Sequence, residues 1–285
     1  MPSMPIAPVT TWASFELGDY PMTVWELLAT NAAILAACFV GLWLVAVRMR
    51  DVTPVDSFWA FGMVIMAASS FLLADGHPQR KMLILALAAA WGLRLGSYML
   101  WRWRDHGPDR RYVALLGKAQ ERRGWSFAKA SALLVFATQA PLLFIVCLPA
   151  QIGQVDAKPA LGTLALVGAA LSLSGTAFEA IGDWQLVRFK RDPANAGQVM
   201  DRGLWRFTRH PNYFGDACAW WGIWLVAAET ETGRWAVIGP LLLTWTLMKW
   251  SGAPTVEGKM ARTKPGYADY VARTSAFVPW FPRRT

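Results

Sequence analysis

The sequence from residue 203 to residue 216 reads Gly203-Leu204-Trp205-Arg206-Phe207-Thr208-Arg209-His210-Pro211-Asn212-Tyr213-Phe214-Gly215-Asp216. Pro211 favours the start of a helix, because its missing N–H costs nothing in a first turn and its φ is already helical. Asn212 and Asp216 then share one face of that helix. Arg209 and His210 lie just before it, where backbone N–H groups and the helix dipole favour an anion. The pattern is typical of a phosphate site, and a basic loop at a membrane surface is the alternative.

Composition indicates a polytopic membrane protein. Of the 285 residues, 55% are hydrophobic and only 16% are charged, with a mean hydropathy of +0.29, whereas soluble domains carry about 25% charged residues. The net charge of +9 would suit nucleic-acid binding. The basic residues, however, fall in short loops between apolar segments. We therefore expect anionic ligands and membrane lipid as partners, and no nucleic acid.

Seven apolar segments predict an all-α bundle of about seven transmembrane helices. Their ranges are 24–47, 58–73, 82–101, 127–148, 161–181, 217–228 and 235–248. The second, sixth and seventh are short for a span, which needs about 20 residues, so six spans remain the alternative.

Lysine and arginine predict the orientation of the bundle. They concentrate in three regions that fall on one side of a seven-helix arrangement: 102–123, 188–209 and 249–284. The opposite loops hold far fewer: Arg80, Lys81, Lys158 and Arg234. By the positive-inside rule the N-terminus is expected outside and the C-terminus in the cytoplasm, as in a multi-pass protein of the bacterial inner membrane.

The chain is predicted to form one transmembrane domain, 1–285, and to be a monomer. Residues 1–20 carry several prolines and lack a basic n-region, so we expect an extramembrane segment rather than a cleaved signal peptide. Cys38, Cys147 and Cys218 lie in apolar runs without metal-ligand spacing. We interpret them as small core residues and expect no metal site.

The stretch from Gly203 to Asp216 resembles the C-terminal domain superfamily of the steroid 5α-reductases (3-oxo-5-alpha-steroid 4-dehydrogenases). It is most similar to a bacterial branch catalogued as a domain of unknown function, and to the sterol Δ14- and Δ7-reductases. The tail from Gly266 to Tyr270, followed by 274–279, is similar to the family's ending. The resemblance covers about 51–282. Isoprenylcysteine carboxyl methyltransferases share part of the motif.

The resemblance implies an NADPH-dependent enzyme that transfers hydride to the C=C bond of a lipophilic enone, with a 3-oxo-Δ4-steroid as the closest case. It places most cofactor contacts in 179–285. An S-adenosylmethionine-dependent methyltransferase remains the first alternative. A lipid- or sterol-binding membrane protein without catalytic activity is the second.

Asp56 has two interpretations. By residue type alone it is a helix N-cap at the start of the second segment. The resemblance implies instead that its carboxyl contacts the substrate oxygen and that Arg94 is the arginine of the following helix. Val55 and Trp91 replace a glutamine and a tyrosine of the animal enzymes. Tyr98, one turn beyond Arg94, is therefore the expected substitute proton donor, unless it is an interfacial tyrosine.

Arg94 lies deep in an apolar segment and must face the bundle interior with a partner. Asp56 or cofactor phosphates are the candidates. Glu179 and Asp183 share a helix face, where they can pair with Arg188 and Lys190. The resemblance implies instead that the two acids and Lys190 bind the cofactor.

Two polar segments complete the expected site. By composition alone, the basic residues of the loop 104–112 serve to orient the helices in the membrane, and His106 is a hydrogen-bonding loop residue. The resemblance implies instead that the second half of this loop lines the nucleotide pocket. The C-terminal segment is either a basic amphipathic tail on the lipid surface or the last part of that pocket. The expected cofactor-binding residues are Trp91, Arg94, Arg110, Arg111, Tyr112, Glu179, Asp183, Lys190, Arg206, Arg209, His210, Asn212, Tyr213, Asp216, Glu257, Lys259, Arg262, Tyr267 and Tyr270, and the expected catalytic residues are Asp56 and Tyr98.

Overall fold

The computed structural model describes residues 22–250 and 252–283, and within these ranges the chain is helical with no strand. The prediction of an all-α fold is confirmed. The expected extramembrane segment 1–20 lies outside the described residues.

Most helices follow one another with short connections, and the longest connection, 192–210, joins α8 to α9. In chain order they are α1 (Val24–Met49), α2 (Pro54–Leu73), α3 (Pro78–His106), α4 (Arg110–Arg123), α5 (Phe127–Ser131), α6 (Ala137–Val146), α7 (Leu148–Ile152), α8 (Thr163–Arg191), α9 (Pro211–Ala227), α10 (Glu231–Arg234), α11 (Ile238–Trp245), α12 (Ala253–Thr263) and α13 (Tyr267–Arg273). Turns of 3-10 helix lie at Pro193–Asn195, Gly203–Arg206 and Trp235–Val237, and π-helical turns lie at Ala132–Phe136 and Thr246–Trp250.

Five helical segments of the described chain are long and apolar enough to cross a membrane. They are α1, α2, α3, the segment Phe127–Val146 that combines α5 and α6, and α8. The sixth and seventh apolar segments are also helical but shorter. Helix α9 has 17 residues, and α11 continues through its π-helical turn to Trp250. The described chain is therefore a helical bundle with five candidate membrane spans.

Two helices run further than their apolar patterns predict. Helix α3 extends to His106, where Gly107 ends it with a φ of 72°, and Asp109 caps α4 by accepting a hydrogen bond from the N–H of Arg111 at 2.8 Å. The predicted loop 104–112 was therefore wrong over most of its length. Helix α8 likewise continues well past residue 181 to Arg191. Hydropathy marks where a helix leaves the apolar layer, not where it ends.

Helices α8 and α9 pack backbone to backbone along a seam of glycines. A Cβ atom at Gly215 would lie 2.5 Å from the carbonyl oxygen of Gly175, and one at Gly222 would lie 2.4 Å from the N–H nitrogen of Ser172. Small residues allow this approach, which is a common way for helices to associate in membranes. The seam brings the polar faces of the two helices together near the start of α9.

The bundle has two chemically different ends. The end that contains residues 203–216 is called the motif end. Here the α1–α2 turn meets the α3–α4 turn, because Trp103 donates to Asp51 at 2.8 Å and the N–H of Asp109 donates to Thr53 at 2.9 Å. At the opposite end, the fully buried Arg80 forms an ion pair of 3.1 Å with Glu229.

The core between the two ends is mainly apolar. The rings of Trp91 and Trp220 meet edge to face at 5.2 Å between α3 and α9. Of the three cysteines, Cys147 is buried in this core as expected, whereas Cys38 and Cys218 are only half buried.

Candidate functional site

The helix that begins at Pro211 confirms the prediction made from its sequence. Helix α9 has no side-chain hydrogen bond at its N-cap, His210. The preceding turn lies against α8, because the indole of Trp205 donates to the carbonyl oxygen of Gly182 at 3.0 Å and the N–H of Leu204 donates to Gln185 at 2.9 Å. The motif therefore joins the C-terminal half of α8 to the start of α9.

The deepest polar group of the motif end consists of Arg94, Glu179, Asp183 and Asp216, here called the carboxylate cluster. Nη1 of Arg94 lies 2.8 Å from Asp183, and its Nη2 pairs with Glu179. The three acids are only 3%, 5% and 7% exposed, in the order Glu179, Asp183 and Asp216. Three carboxyl groups thus face a single guanidinium.

This geometry corrects two expectations. Arg94 pairs with Glu179 and Asp183 rather than with Asp56, and these two acids do not pair with Arg188 or Lys190 in the described structure. The reason is depth. Arg94 and Glu179 are each the seventeenth residue of helices that start at the same end of the bundle. Asp56, by contrast, lies in the first turn of α2 at the motif end.

Several polar atoms around the carboxylate cluster have no partner. Oδ1 of Asp216, the indole N–H of Trp91 and the indole N–H of Trp220 are buried without a hydrogen bond within residues 22–250 and 252–283. The indole N–H of Trp91, however, lies within hydrogen-bonding reach of the Asp216 carboxyl, so these two groups face each other. The donor and the acceptor satisfy each other in part, whereas the indole N–H of Trp220 has no partner among the described residues. A buried unpaired polar group costs about 1–3 kcal/mol.

Arg102 links the carboxylate cluster to the surface, and the sequence interpretation did not include it. It lies within electrostatic range of Asp56 and Asp183 and interacts with the hydroxyl of Tyr98. The signal was available, since Arg94, Tyr98 and Arg102 follow one another at intervals of four on one helix face.

Near the end of α8, Lys190 lies within electrostatic range of three other basic side chains: Arg102 of α3, Lys259 of α12, and Lys264 just after α12. We call this group the basic mouth. Lys190 and Lys259 are exposed, and Asp183 is the acid that faces the group. Lys264 was also missed from the sequence. Such a surplus of positive charge beside a helix N-terminus suits a polyanion.

Asp56 forms a separate polar group with α4. The hydroxyl of Tyr112 donates to its Oδ1 at 2.6 Å, and Nη2 of Arg111 lies 3.3 Å from its Oδ2. Arg111 is held in turn by Asp109 at 2.9 Å. The interpretation of Asp56 as an N-cap was wrong, because α2 begins at Pro54 and Asp56 lies inside its first turn.

The phenol that contacts Asp56 is Tyr112 rather than the expected Tyr98, which stacks on Trp101 at 6.0 Å. Burial and the adjacent Asp56 carboxyl both raise the pKa of Tyr112 well above its ordinary value. The hydroxyl therefore keeps its proton at neutral pH and points it at Asp56.

A third group anchors α12 to the motif. Nε of Arg209 and Nε2 of His210 each lie 2.8 Å from the same oxygen of Glu257, and the ring of Tyr213 stacks on His210 at 5.2 Å. Burial lowers the pKa of His210. Burial alone would raise the pKa of Glu257, but hydrogen bonds from Arg209 and His210 outweigh it, and the pKa lies below its ordinary value. Through Glu257, Arg209 and His210 hold α12, the helix that carries Lys259, against the motif.

The remaining expected residues are divided between the site and the surface. Asn212 faces Asp183, and Tyr270 is buried, with its hydroxyl donating to the carbonyl oxygen of Trp205 at 2.6 Å. Tyr267 is also buried, and burial together with Glu257 raises its pKa to about 12. Three expected cofactor residues are exposed and belong to neither the carboxylate cluster nor the basic mouth: Arg110, Arg206 and Arg262.

Comparison with known proteins gives one match. The family described as "Protein of unknown function (DUF1295)" matches residues 42–274, and it is related to steroid 5-alpha-reductase-like membrane proteins. A search of curated proteins and a search of solved structures returned no match. Because the match covers most of the sequence, including every helix from the second half of α1 to α13, this chain belongs to the DUF1295 family.

Proposed function

We propose that this protein is an NADPH-dependent membrane reductase that transfers hydride to the C=C bond of a lipophilic enone, with 3-oxo-Δ4-steroids as reference substrates. The observation that carries the proposal is the basic mouth, which Asp183 of the carboxylate cluster faces. A polyanion with a polar, weakly charged end fits this arrangement, and NADPH is such a molecule. Charge-assisted hydrogen bonds to phosphate contribute roughly 1.5–3 kcal/mol each.

Different residues of the site would bind different parts of NADPH. Arg102, Lys190 and Lys259 would hold the phosphates. The N–H of Trp91 and the carboxyl of Asp216 face each other, and they would turn to the C=O and NH₂ groups of a carboxamide when the cofactor is bound. When bound, NADPH supplies the hydride.

Asp56 and Tyr112 are the proposed proton-handling pair. A substrate carbonyl at this position would accept a hydrogen bond from the phenol, and the developing enolate oxygen would be stabilised by preorganised donors. Arg111 keeps the Asp56 carboxyl oriented at 3.3 Å. Tyr98 beside Arg102 is the second candidate donor. The half-buried position of this group, close to the α1–α2 turn, suits a substrate that arrives from the lipid.

An S-adenosylmethionine-dependent methyltransferase is the competing function, and one observation favours it. The carboxylate cluster has two more acids than bases, which suits a sulfonium cation as well as an oxidised nicotinamide ring. That cofactor has no phosphate, however, and so leaves the basic mouth without a ligand. The two functions therefore differ in whether the basic mouth contributes to binding.

The concentration of basic residues at the motif end also supports a proposal for the orientation of the helices in the membrane. We propose seven spans with the N-terminus outside and the motif end in the cytoplasm of a bacterial cell, because α9 and α11 complete the alternation of the five long helices. The predominance of arginine and lysine at the motif end follows the positive-inside rule. A reporter active only in the periplasm, fused to Thr285, should stay inactive, and activity would refute this orientation.

Calorimetry on the purified protein tests the function. NADPH should bind more tightly than NADH and S-adenosylmethionine. Lys190→Gln should weaken NADPH binding by roughly 10- to 150-fold, the loss of one charge-assisted contact. Arg122→Gln, an equal charge change in the last turn of α4, should leave it unchanged. Tight S-adenosylmethionine binding that Lys190→Gln does not alter would establish the competing function instead.

A further inference from the structure

A group of arginines at the motif end lies outside both the basic mouth and the Asp56 group. Arg202, Arg206, Arg273 and Arg283 line one open cleft of about 850 Å³, together with Asp201, Gly203, Thr274 and Pro282. We call it the arginine cleft. Its one acid, Asp201, is paired with Arg273 at 2.6 Å, so the cleft has a surplus of three positive charges.

Three of the four arginines have guanidinium groups that are free to bind. Arg202, Arg206 and Arg283 are exposed, and the only interaction of their side chains within the described residues is that of Arg202 with the Phe189 ring at 6.0 Å. Nε of Arg273 is buried and also lacks a partner there. With Arg273 paired to Asp201, the surplus of like charge in the cleft is still repulsive, and an anion between the arginines relieves that repulsion. The planar guanidinium matches the oxygens of a phosphate group.

A second, smaller cavity adjoins the arginine cleft and has a different lining. It measures about 340 Å³ and shares Arg273, Thr274 and Arg283 with the first. Its other walls include Val271, Ala272 and the two aromatic residues Trp280 and Phe281, which are 68% and 77% exposed. Exposed aromatic residues of this kind are typical of the interface between lipid and water.

From this juxtaposition we propose that the arginine cleft binds the phosphate headgroup of an anionic phospholipid of the surrounding membrane. The headgroup phosphate would lie among the arginines, and Trp280 and Phe281 would contact the apolar part of the same lipid. The charge surplus favours an anion, and the adjoining aromatic wall favours an amphiphile over a free phosphate. The site is independent of whether the protein is a reductase.

The test measures how many lipid molecules stay with the purified full-length protein. The protein is incorporated into mixed vesicles of phosphatidylglycerol and phosphatidylcholine, extracted, and analysed by native mass spectrometry. The variant Arg202→Gln/Arg283→Gln removes two arginines that make no ion pair and were not assigned to the cofactor. We expect it to bind phosphatidylglycerol roughly thirtyfold more weakly, given about 1 kcal/mol for each basic residue at an anionic surface.

The matched control is Arg104→Gln/Arg122→Gln, which removes two exposed charges at the same end of the bundle but outside the cleft. It should retain phosphatidylglycerol as the wild type does. Equal losses in both double variants would reduce the effect to general surface charge and overturn the proposal. Displacement of the lipid by millimolar inorganic phosphate would show a free-anion site instead, with the same consequence.

A second measurement does not depend on a variant that folds. A photoactivatable phosphatidylglycerol, incorporated with the wild-type protein and irradiated, should label the peptide that contains 271–283. A photoactivatable phosphatidylcholine should not label it at the same density. Labelling by both lipids alike, or by neither, would contradict a specific headgroup site.

Discussion

The hydroxyl of Tyr112 donates a 2.6 Å hydrogen bond to Oδ1 of Asp56, and it joins two helices that are far apart in sequence. Arg111, the neighbour of Tyr112, contacts the other oxygen of the same carboxyl group. The carboxyl group is therefore fixed in orientation from one side, while its helix holds it from the other. Such a constellation is suited to directing a proton, and it can be tested without knowing the natural substrate.

Under the proposed reductase function, Asp56→Asn should reduce the rate by about 10²–10⁴-fold, the usual contribution of a positioned acid or base. The amide still fits the space and still accepts a hydrogen bond from Tyr112, so the fold and NADPH binding should persist. NADPH oxidation with progesterone or testosterone, followed by product analysis, measures the rate. Calorimetry measures the binding.

Two tyrosine variants separate the candidate proton donors. If Tyr112 is the donor, Tyr112→Phe should be about as slow as Asp56→Asn, whereas Tyr98→Phe should keep most of the activity. The reverse result would assign the role to Tyr98. Asp269→Asn, at an exposed position of α13, controls for the loss of a negative charge. Full activity in both Asp56→Asn and Tyr112→Phe would remove this pair from the mechanism.

Arg94→Gln should destabilise the protein strongly. The substitution removes the cation that forms ion pairs with Glu179 and Asp183, and breaking a buried ion pair on one side typically costs about 3–5 kcal/mol. Thermal unfolding in detergent measures the loss. The difference from the wild type should shrink as the pH is lowered, because protonated carboxyl groups need no cation.

A double variant tests the same account from the other direction. Arg94→Gln/Asp183→Asn removes one acid together with the base and should be more stable than Arg94→Gln alone. Arg104→Gln, which removes an exposed arginine from the last turn of α3, should be nearly neutral. If Arg94→Gln alone were as stable as the wild type at all pH values, the three carboxyl groups would already be neutral in the folded protein.

The sequence predicted local features of this site better than its pairings. Pro211 located the start of α9 because proline determines its own backbone geometry, whatever surrounds it. The face shared by Asn212 and Asp216 followed from helix periodicity. The partners of Arg94 could not be predicted, because they depend on α3 and α8 lying side by side in the same direction. That relation is tertiary and leaves no signal in either segment alone.

The missed residues differ in how they could have been found. Arg102 follows Tyr98 by four residues and was predictable from the helix face that carries Arg94. Lys264 was not, since its approach to Lys190 depends on how α12 folds back against the motif. The loop 104–112 was misassigned because a polar helix outside the membrane, such as α4, has no hydropathy signal. Its cap, Asp109, was the available clue.

Gly215→Ala should be destabilising by about 1–3 kcal/mol, the usual range for overpacking. The new Cβ would lie 2.5 Å from the carbonyl oxygen of Gly175 and 2.6 Å from the N–H nitrogen of Glu179. Both neighbours are backbone atoms, so α8 and α9 must separate. Because Glu179 and Asp216 face each other across this seam, NADPH binding should weaken as well.

Helical glycines without neighbours provide the control for this substitution. A Cβ at Gly117 of α4 or at Gly258 of α12 meets nothing within 4 Å. Gly117→Ala and Gly258→Ala should therefore be neutral or stabilising by up to about 1 kcal/mol, as expected from helix propensity. If Gly215→Ala matched these variants in thermal unfolding, close packing of α8 on α9 would not be a source of stability.

His210 should make the stability of the motif end depend on pH. Burial lowers its pKa below the ordinary value of 6.5, and the hydrogen bond with Glu257 does not reverse the shift. As the pH falls, the unfolded chain therefore takes up this proton before the folded protein does. The stabilisation from neutral His210 is complete above about pH 6.5 and is lost as the pH falls through the folded pKa.

Thermal unfolding measured between about pH 7.5 and pH 5 should show a steeper loss for the wild type than for His210→Gln, which cannot titrate. His106→Gln, at an exposed histidine, should keep the wild-type slope. A wild-type slope in His210→Gln would mean that another group controls the acid sensitivity.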